Sequence, residues 1–266
     1  MLEIFSYAFM LRAFLAGTVI AILAPFIGTF LVVRRYSLMA DTLSHVSLVG
    51  IALGVLTGIN PIVGALLASV IAAIGIDRLR GTKQIFGESV LALFLSGSLA
   101  VATVLLSLGG KYTVNILSFL FGSITTVQAS DVVIISCLGA LVIFLLLFFY
   151  RQFFAVAFDE ELAEASGIRS RLFSTLLVIV AAVTVALSIR IVGALLVGAL
   201  MIIPVLSAIQ FGRSFRQSIL LATLFSLCAV LFGLFLSFYV GLPSGGTIVI
   251  VALGIFLCSL VGSRSP

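Results

Sequence analysis

The stretch Arg34-Arg35-Tyr36-Ser37-Leu38-Met39-Ala40-Asp41-Thr42-Leu43-Ser44-His45 runs on into Val46-Ser47-Leu48-Val49-Gly50-Ile51-Ala52-Leu53-Gly54, and its reading decides the fold class. Two arginines open it, and the residues after them are apolar over a length that reaches across about 30 Å of hydrocarbon at about 1.5 Å per helical residue. Inside this span stand Asp41 and the only histidine of the chain, His45. Residues at i and i+4 share one helix face, so carboxylate and imidazole can converge on one small object. An unpaired aspartate at mid-span costs on the order of 2.5 to 3.5 kcal/mol on insertion scales, so something must compensate it.

The rest of the chain repeats the pattern of that span. Of 266 residues 63% are hydrophobic and 9% charged, with a mean hydropathy of +1.42. A soluble domain could not hide that much apolar surface. Nine stretches are long and apolar enough to span, near 13–33, 38–58, 61–76, 88–108, 131–150, 172–189, 191–210, 217–240 and 245–262. They are continuous runs without the alternation of a barrel strand. The expected fold class is therefore all-α, a polytopic integral membrane helical bundle of about nine transmembrane helices, forming one transmembrane domain over residues 1–266. The first run, preceded by Glu3 and Arg12, is too long for a cleaved signal and reads as a retained helix. Cys137, Cys228 and Cys258 fall inside spans without paired spacing, which points to packing rather than to a disulfide or zinc knuckle.

Charge assigns the sides. With Arg34 and Arg35 cytoplasmic, nine spans also place Arg78, Arg80, Lys83, Arg151, Arg169, Arg171, Arg213, Arg216 and Arg264 inside, leaving Arg12, Lys111 and Arg190 outside. The N-terminus is then outside and the C-terminus cytoplasmic. The net charge of +5 is mostly this orientation signal and calls for no nucleic acid.

Two connections are long. The outer one, 109–130, carries Val114-Asn115-Ile116-Leu117-Ser118-Phe119-Leu120-Phe121-Gly122-Ser123, apolar but too short to span. It reads as a re-entrant or interfacial helix that could close the outer mouth of a pathway, or as a loop lying on other helices. The cytoplasmic one, 151–171, holds Asp159, Glu160, Glu161 and Glu164, with Phe158, Leu162, Ala165 and Ile168 at helical spacing and Gly167 placed to end a short helix. Such an amphipathic helix either caps the bundle or docks into a cytoplasmic partner; its carboxylates argue against anionic lipid. Gly50 and Gly54 make a small-xxx-small packing surface. Pro25 and Pro204 each remove a helix hydrogen bond within a span and mark kinks or local unwinding.

A divalent metal would compensate Asp41 directly. Imidazole with carboxylate suits zinc, manganese or ferrous iron, whereas calcium and magnesium want oxygen alone. Two ligands are an incomplete site, fit for an ion that must leave; the rest can come from Ser44, a facing helix or water. The residues allow two other arrangements, a hydrogen bond between Asp41 and His45 or a pair between Asp41 and Arg34 or Arg35. No serine hydrolase constellation has a second partner, and no G-x-x-x-x-G-K-[ST] sequence is present, so any ATP is bound by a separate subunit.

The run from Arg34 to Gly50, with Ser37 to His45 at its centre, resembles the signature of the membrane permeases of bacterial ABC importers for zinc, manganese and iron. The likeness continues in Phe158-Asp159-Glu160-Glu161-Leu162-Ala163-Glu164-Ala165-Ser166-Gly167-Ile168, in Val192-Gly193-Ala194-Leu195-Leu196-Val197 and in Met201-Ile202-Ile203-Pro204. The resemblance implies a transport subunit rather than an enzyme, a multi-pass protein of the bacterial cytoplasmic (inner) membrane. It implies partners as well: a second copy of the chain, two cytoplasmic ATP-binding cassette subunits and an extracytoplasmic metal-binding protein, with lipid around them. Asp41 and His45 would contact the ion, and Phe158, Asp159, Glu160, Glu161, Leu162, Glu164 and Gly167 would belong to the coupling helix. No permanently bound cofactor is implied; the divalent ion is cargo. Ala40, Val49, Val205 and Leu206 depart from the family pattern, which has glycine, proline and small residues there. The competing expectations are an ABC permease for a metal chelate such as a siderophore or cobalamin, and an ion-coupled secondary transporter acting alone.

Overall fold

Helices form wherever the apolar runs are long enough to satisfy their own backbone groups in hydrocarbon, and short corners carry the residues that cannot continue them. The computed structural model describes residues 6–80, 87–108 and 116–262. They fold as α1 (Ala8–Val33), α2 (Ser37–Thr57), α3 (Pro61–Arg80), α4 (Gly87–Leu108), α5 (Ile116–Phe121), α6 (Ala129–Phe148), α7 (Tyr150–Phe158), α8 (Glu160–Ala165), α9 (Ser170–Val192), α10 (Val197–Ile209), α11 (Phe215–Val240) and α12 (Ser244–Gly262). Among the described residues there is no strand, and the all-α bundle is as expected. Lys83, Lys111, Val114, Asn115 and Arg264 lie outside the described residues.

Eight of these helices (α1, α2, α3, α4, α6, α9, α11 and α12) are long and apolar enough to cross a membrane. The ninth expected span, 191–210, is the exception. Ile191 and Val192 close α9, residues 193–196 leave the helix, and α10 has 13 residues, about 20 Å at the helical rise. Gly193 breaks the run with φ of 88°, in the region that a side chain disfavours. The backbone groups released by the break are taken up by the outer segment. The Ala194 N–H donates to the Phe119 carbonyl at 2.8 Å, the Leu195 N–H to Leu120 at 3.2 Å, and the Ser123 N–H to Arg190 at 3.3 Å. Irregular backbone is tolerated at membrane depth on that condition. The outer connection thus includes the short helix α5, packed into the α9–α10 break.

Close helix approach is made by glycine. A β-carbon on Gly50 would overlap the Gly64 carbonyl and one on Gly64 would overlap Gly50, so α2 and α3 meet backbone to backbone, with Gly54 against Pro61. Gly28 of α1 does the same against the Met201 carbonyl of α10. Helices α1 and α10 run on through their interior prolines, Pro25 and Pro204. Helices α1, α2 and α9 are the most enclosed, whereas α3, α4, α6 and α12 turn Ile71, Leu93, Phe144 and Leu257 outward, as suits contact with lipid.

The two ends differ in charge as the sequence predicts for the described residues. One end gathers Arg34, Arg80 and Arg171 around α8, with Arg78 and Arg169 alongside Arg171; Arg12 and Arg190 stand at the other, beside Asn60 and the loop after α5. Buried Asp131, at the start of α6, lies 3.3 Å from Arg190, whose guanidinium also covers the Phe119 ring and donates to the Thr126 carbonyl. That cluster fastens the outer segment to α6 and α9.

Candidate metal site and coupling surface

Asp41 and His45 stand in the second and third turns of α2, past the corner that joins it to α1. Arg35 turns this corner with φ of 58°, and the Tyr36 N–H returns to the Leu31 carbonyl at 2.8 Å. Both site residues are half-buried. Neither a hydrogen bond nor an ion pair joins them, and the buried Nδ1 of His45 has no hydrogen-bond partner. Arg34, the other partner available to Asp41 by sequence, is engaged elsewhere: its guanidinium reaches Glu160 Oε2 at 2.8 Å and Ser174 Oγ at 2.9 Å. Arg35 is exposed. The arrangement leaves the carboxylate and one imidazole nitrogen uncommitted.

Ser44 is buried, and its hydroxyl donates to the carbonyl of Asp41 at 2.7 Å. Its proton is therefore held by its own helix turn. Among the described residues no three His, Cys, Asp or Glu side chains cluster, so there Asp41 and His45 stand without a third ligand of this chemistry. The neighbour that sequence reasoning missed is Gly198, in the first turn of α10. A β-carbon there would overlap Oδ1 of Asp41 and stand 2.7 Å from its Cγ. The run Val197-Gly198-Ala199 reads as filler in an apolar span, and only the fold reveals what lies across from it.

The acidic connection is two helices rather than one. Helix α7 ends at Phe158, Asp159 turns the chain with extended backbone (φ −153°, ψ 107°), and its side chain caps α8 by accepting from the Leu162 N–H at 2.9 Å. Gly167, with φ of 82°, ends the unit as expected, while the Ile168 N–H bonds back to the Ala163 carbonyl at 3.0 Å. Ala163 is the buried residue of α8, while Phe158 and Leu162 are 57% and 65% exposed. Glu160 ties α8 to Arg34, Glu164 accepts from the Ser170 hydroxyl at 3.4 Å, and Glu161 remains exposed. Tyr36 lies under two guanidinium groups, Arg34 at 4.8 Å and Arg80 at 3.7 Å from the ring centre. Beside them opens a cavity of about 630 Å³ lined by Asp77, Glu160, Glu161, Glu164, Arg80 and Arg171.

Comparison with known proteins agrees with this architecture. The chain is 31% identical to the manganese import system permease protein ScaB of Streptococcus gordonii, over 96% of this chain and 91% of that one. It is 29% identical to the high-affinity zinc uptake system membrane protein ZnuB of Haemophilus influenzae, over 93% and 95% respectively. Among solved structures, PsaBC from Streptococcus pneumoniae in complex with Fab contains a chain that superposes with a TM-score of 0.87 at 30% identity, covering 97% of this chain and 92% of that one. The model of the ABC 3 transport family matches residues 6–263, and the chain belongs to that family, as a multi-pass permease of the bacterial inner membrane.

Proposed function

We propose that this chain is the membrane-spanning subunit of an ATP-driven importer for divalent transition-metal ions, with zinc or manganese as the foremost cargo and iron within the same chemistry. The observation that carries the reading is the uncommitted Asp41–His45 pair: a carboxylate and an imidazole on one face of a span, bonded neither to each other nor to a neighbouring arginine. Relatives named for manganese import and for zinc uptake support the cargo class. Asp41 supplies charge and His45 borderline-soft ligation. Because one chain offers two such ligands and tight structural zinc sites use four, the site is suited to a transient stop, completed by water or by a second copy of the chain.

The mechanism is alternating access. ATP bound by two cytoplasmic cassette subunits moves α8, whose outward-facing Leu162 and exposed Glu161, with Phe158 at the end of α7, suit a cleft in such a subunit. The Arg34–Glu160 pair carries that movement to the α1–α2 corner, from which Asp41 is one turn away. An extracytoplasmic binding protein delivers the ion to the opposite face. A ligand shifts such an equilibrium only through its differential affinity for the two states, so the metal contacts of Asp41 and His45 must differ between outward- and inward-facing forms.

The test is uptake of zinc and manganese by cells or proteoliposomes carrying D41A or H45A with the partner subunits intact. Loss of uptake with the complex still assembled is expected, and undiminished uptake would refute the assignment. Intact transport in H45A alone would favour a chelate permease, and flux through the chain reconstituted without ATPase subunits would favour a secondary transporter.

A further inference from the structure

The Asp41 carboxylate faces the backbone of Gly198, where an added β-carbon would overlap its Oδ1. Neither element can readily yield there. On its outer side α10 is preceded by residues whose N–H groups are bonded to the Phe119 and Leu120 carbonyls of α5. On its flank it is pressed to α1, with Met201 against Gly28. Helix α2 is held in turn by backbone contact between Gly50 and Gly64, and its N-terminal corner by the bonds of Arg34. Two pinned helices therefore enclose the carboxylate, and the space that receives it exists because residue 198 lacks a side chain.

We infer that Gly198 is a positioning residue of the metal site, one that sets the direction of the Asp41 carboxylate by leaving it a seat on the first turn of α10. This rests on the reading of Asp41 as a metal contact. A methyl group at 198 would overlap the carboxylate, and the part of the structure most able to move is the Asp41 side chain itself, by rotation about χ1 and χ2. The carboxylate would then approach the ion from another direction. Metal affinity, and the ranking of zinc against manganese, would change although no ligand had been removed. By the same contact, any motion of α10 relative to α2 shifts the ligand directly.

The experiment uses the full permease with its ATPase subunits in detergent, and compares wild type, G198A, D41A and D41A/G198A. Binding is read by equilibrium dialysis against zinc chloride and manganese chloride, and stability by the thermal midpoint. G198A should weaken binding of at least one metal tenfold or more, and any fall in its midpoint should vanish in the D41A background, where the carboxylate is gone. Wild-type affinities for both metals in G198A would overturn the proposal. So would an equal fall in midpoint, or failure to fold, in both backgrounds, since Gly198 would then be a general packing glycine. If G198A fails to fold while D41A/G198A folds, the clash with Asp41 is demonstrated and the proposal stands. Should D41A bind both metals as wild type does, the reading of the metal site fails first; if D41A loses binding and G198A does not, the positioning role alone fails.

Discussion

Cutting the tie between α8 and the α1–α2 corner should have unequal consequences depending on which end is cut. The Arg34 side chain is 5% exposed and that of Glu160 is 45% exposed, with 2.8 Å between Nη2 and Oε2. In E160A the buried guanidinium keeps its bond to Ser174 and its place over Tyr36, and loses one charge-assisted bond to a half-solvated carboxylate. Such bonds contribute about 1.5–3 kcal/mol when enclosed and about 0–1 kcal/mol at a surface, so about 1–2 kcal/mol is expected here. R34A removes that bond, the bond to Ser174 and a cation–π contact worth about 0.5–2 kcal/mol, and leaves the space over Tyr36 unfilled on that side, while the freed Glu160 turns to water. A loss of about 2–4 kcal/mol follows from those terms together. A double-mutant cycle on thermal unfolding of the solubilised protein reads the difference. R34A should lower the midpoint more than E160A, and the double variant should match R34A rather than the sum. Additive effects, or a larger fall in E160A, would refute the geometry of the tie. Within the assembled importer the same variants should retain ATP hydrolysis while metal transported per ATP falls, because α8 would move without pulling α2.

Other positions give sharper contrasts. G193A places a methyl group at φ of 88° against Leu120 O and Gly122 N, and should cost about 3 kcal/mol or more, seen as lost expression of folded protein. G58A, at φ of 74° but with open space around it, should cost only about 1 kcal/mol, measured in the same thermal assay. G50L should separate α2 from α3 and abolish both folding and uptake, whereas G97L, with nothing within 4 Å of the added β-carbon, should leave the thermal midpoint within a few degrees of wild type. L162A should leave the permease folded and its thermal midpoint unchanged, since the side chain is exposed, yet reduce copurification of the ATPase subunits.

The spans were legible because hydrocarbon imposes a length and a composition that can be counted residue by residue, and Asp41 and His45 were legible because charge is scarce enough in such a span to stand out. What could not be counted was the meaning of glycine. Gly50 and Gly54 announced themselves by their spacing on one helix, and they do pack on another. Gly193 occurs in an equally apolar run and ends a helix, because its neighbours' N–H groups find carbonyls on α5, some seventy residues earlier in the chain. Gly198, five residues later, stays helical and receives the carboxylate of another helix. Local propensity treats these alike, since each lacks a side chain, and only the tertiary neighbour distinguishes a hinge from a packing seam or a ligand seat. The acidic segment shows the same limit from the other side. Its spacing puts Phe158 and Leu162 on one apolar face and leaves open whether that face caps the bundle or docks into a partner; in the fold Ala163 is buried and Leu162 exposed, because the corner at Asp159 starts a new helix with its own orientation. A helix of 6 residues is too short for a periodic pattern to fix its own orientation, so that orientation is set by the Asp159 cap and the bond from Glu160 to Arg34. The surface proposed to meet the ATPase is thus turned outward by residues one of which, Glu160, also ties it to the corner before the helix that carries Asp41 and His45.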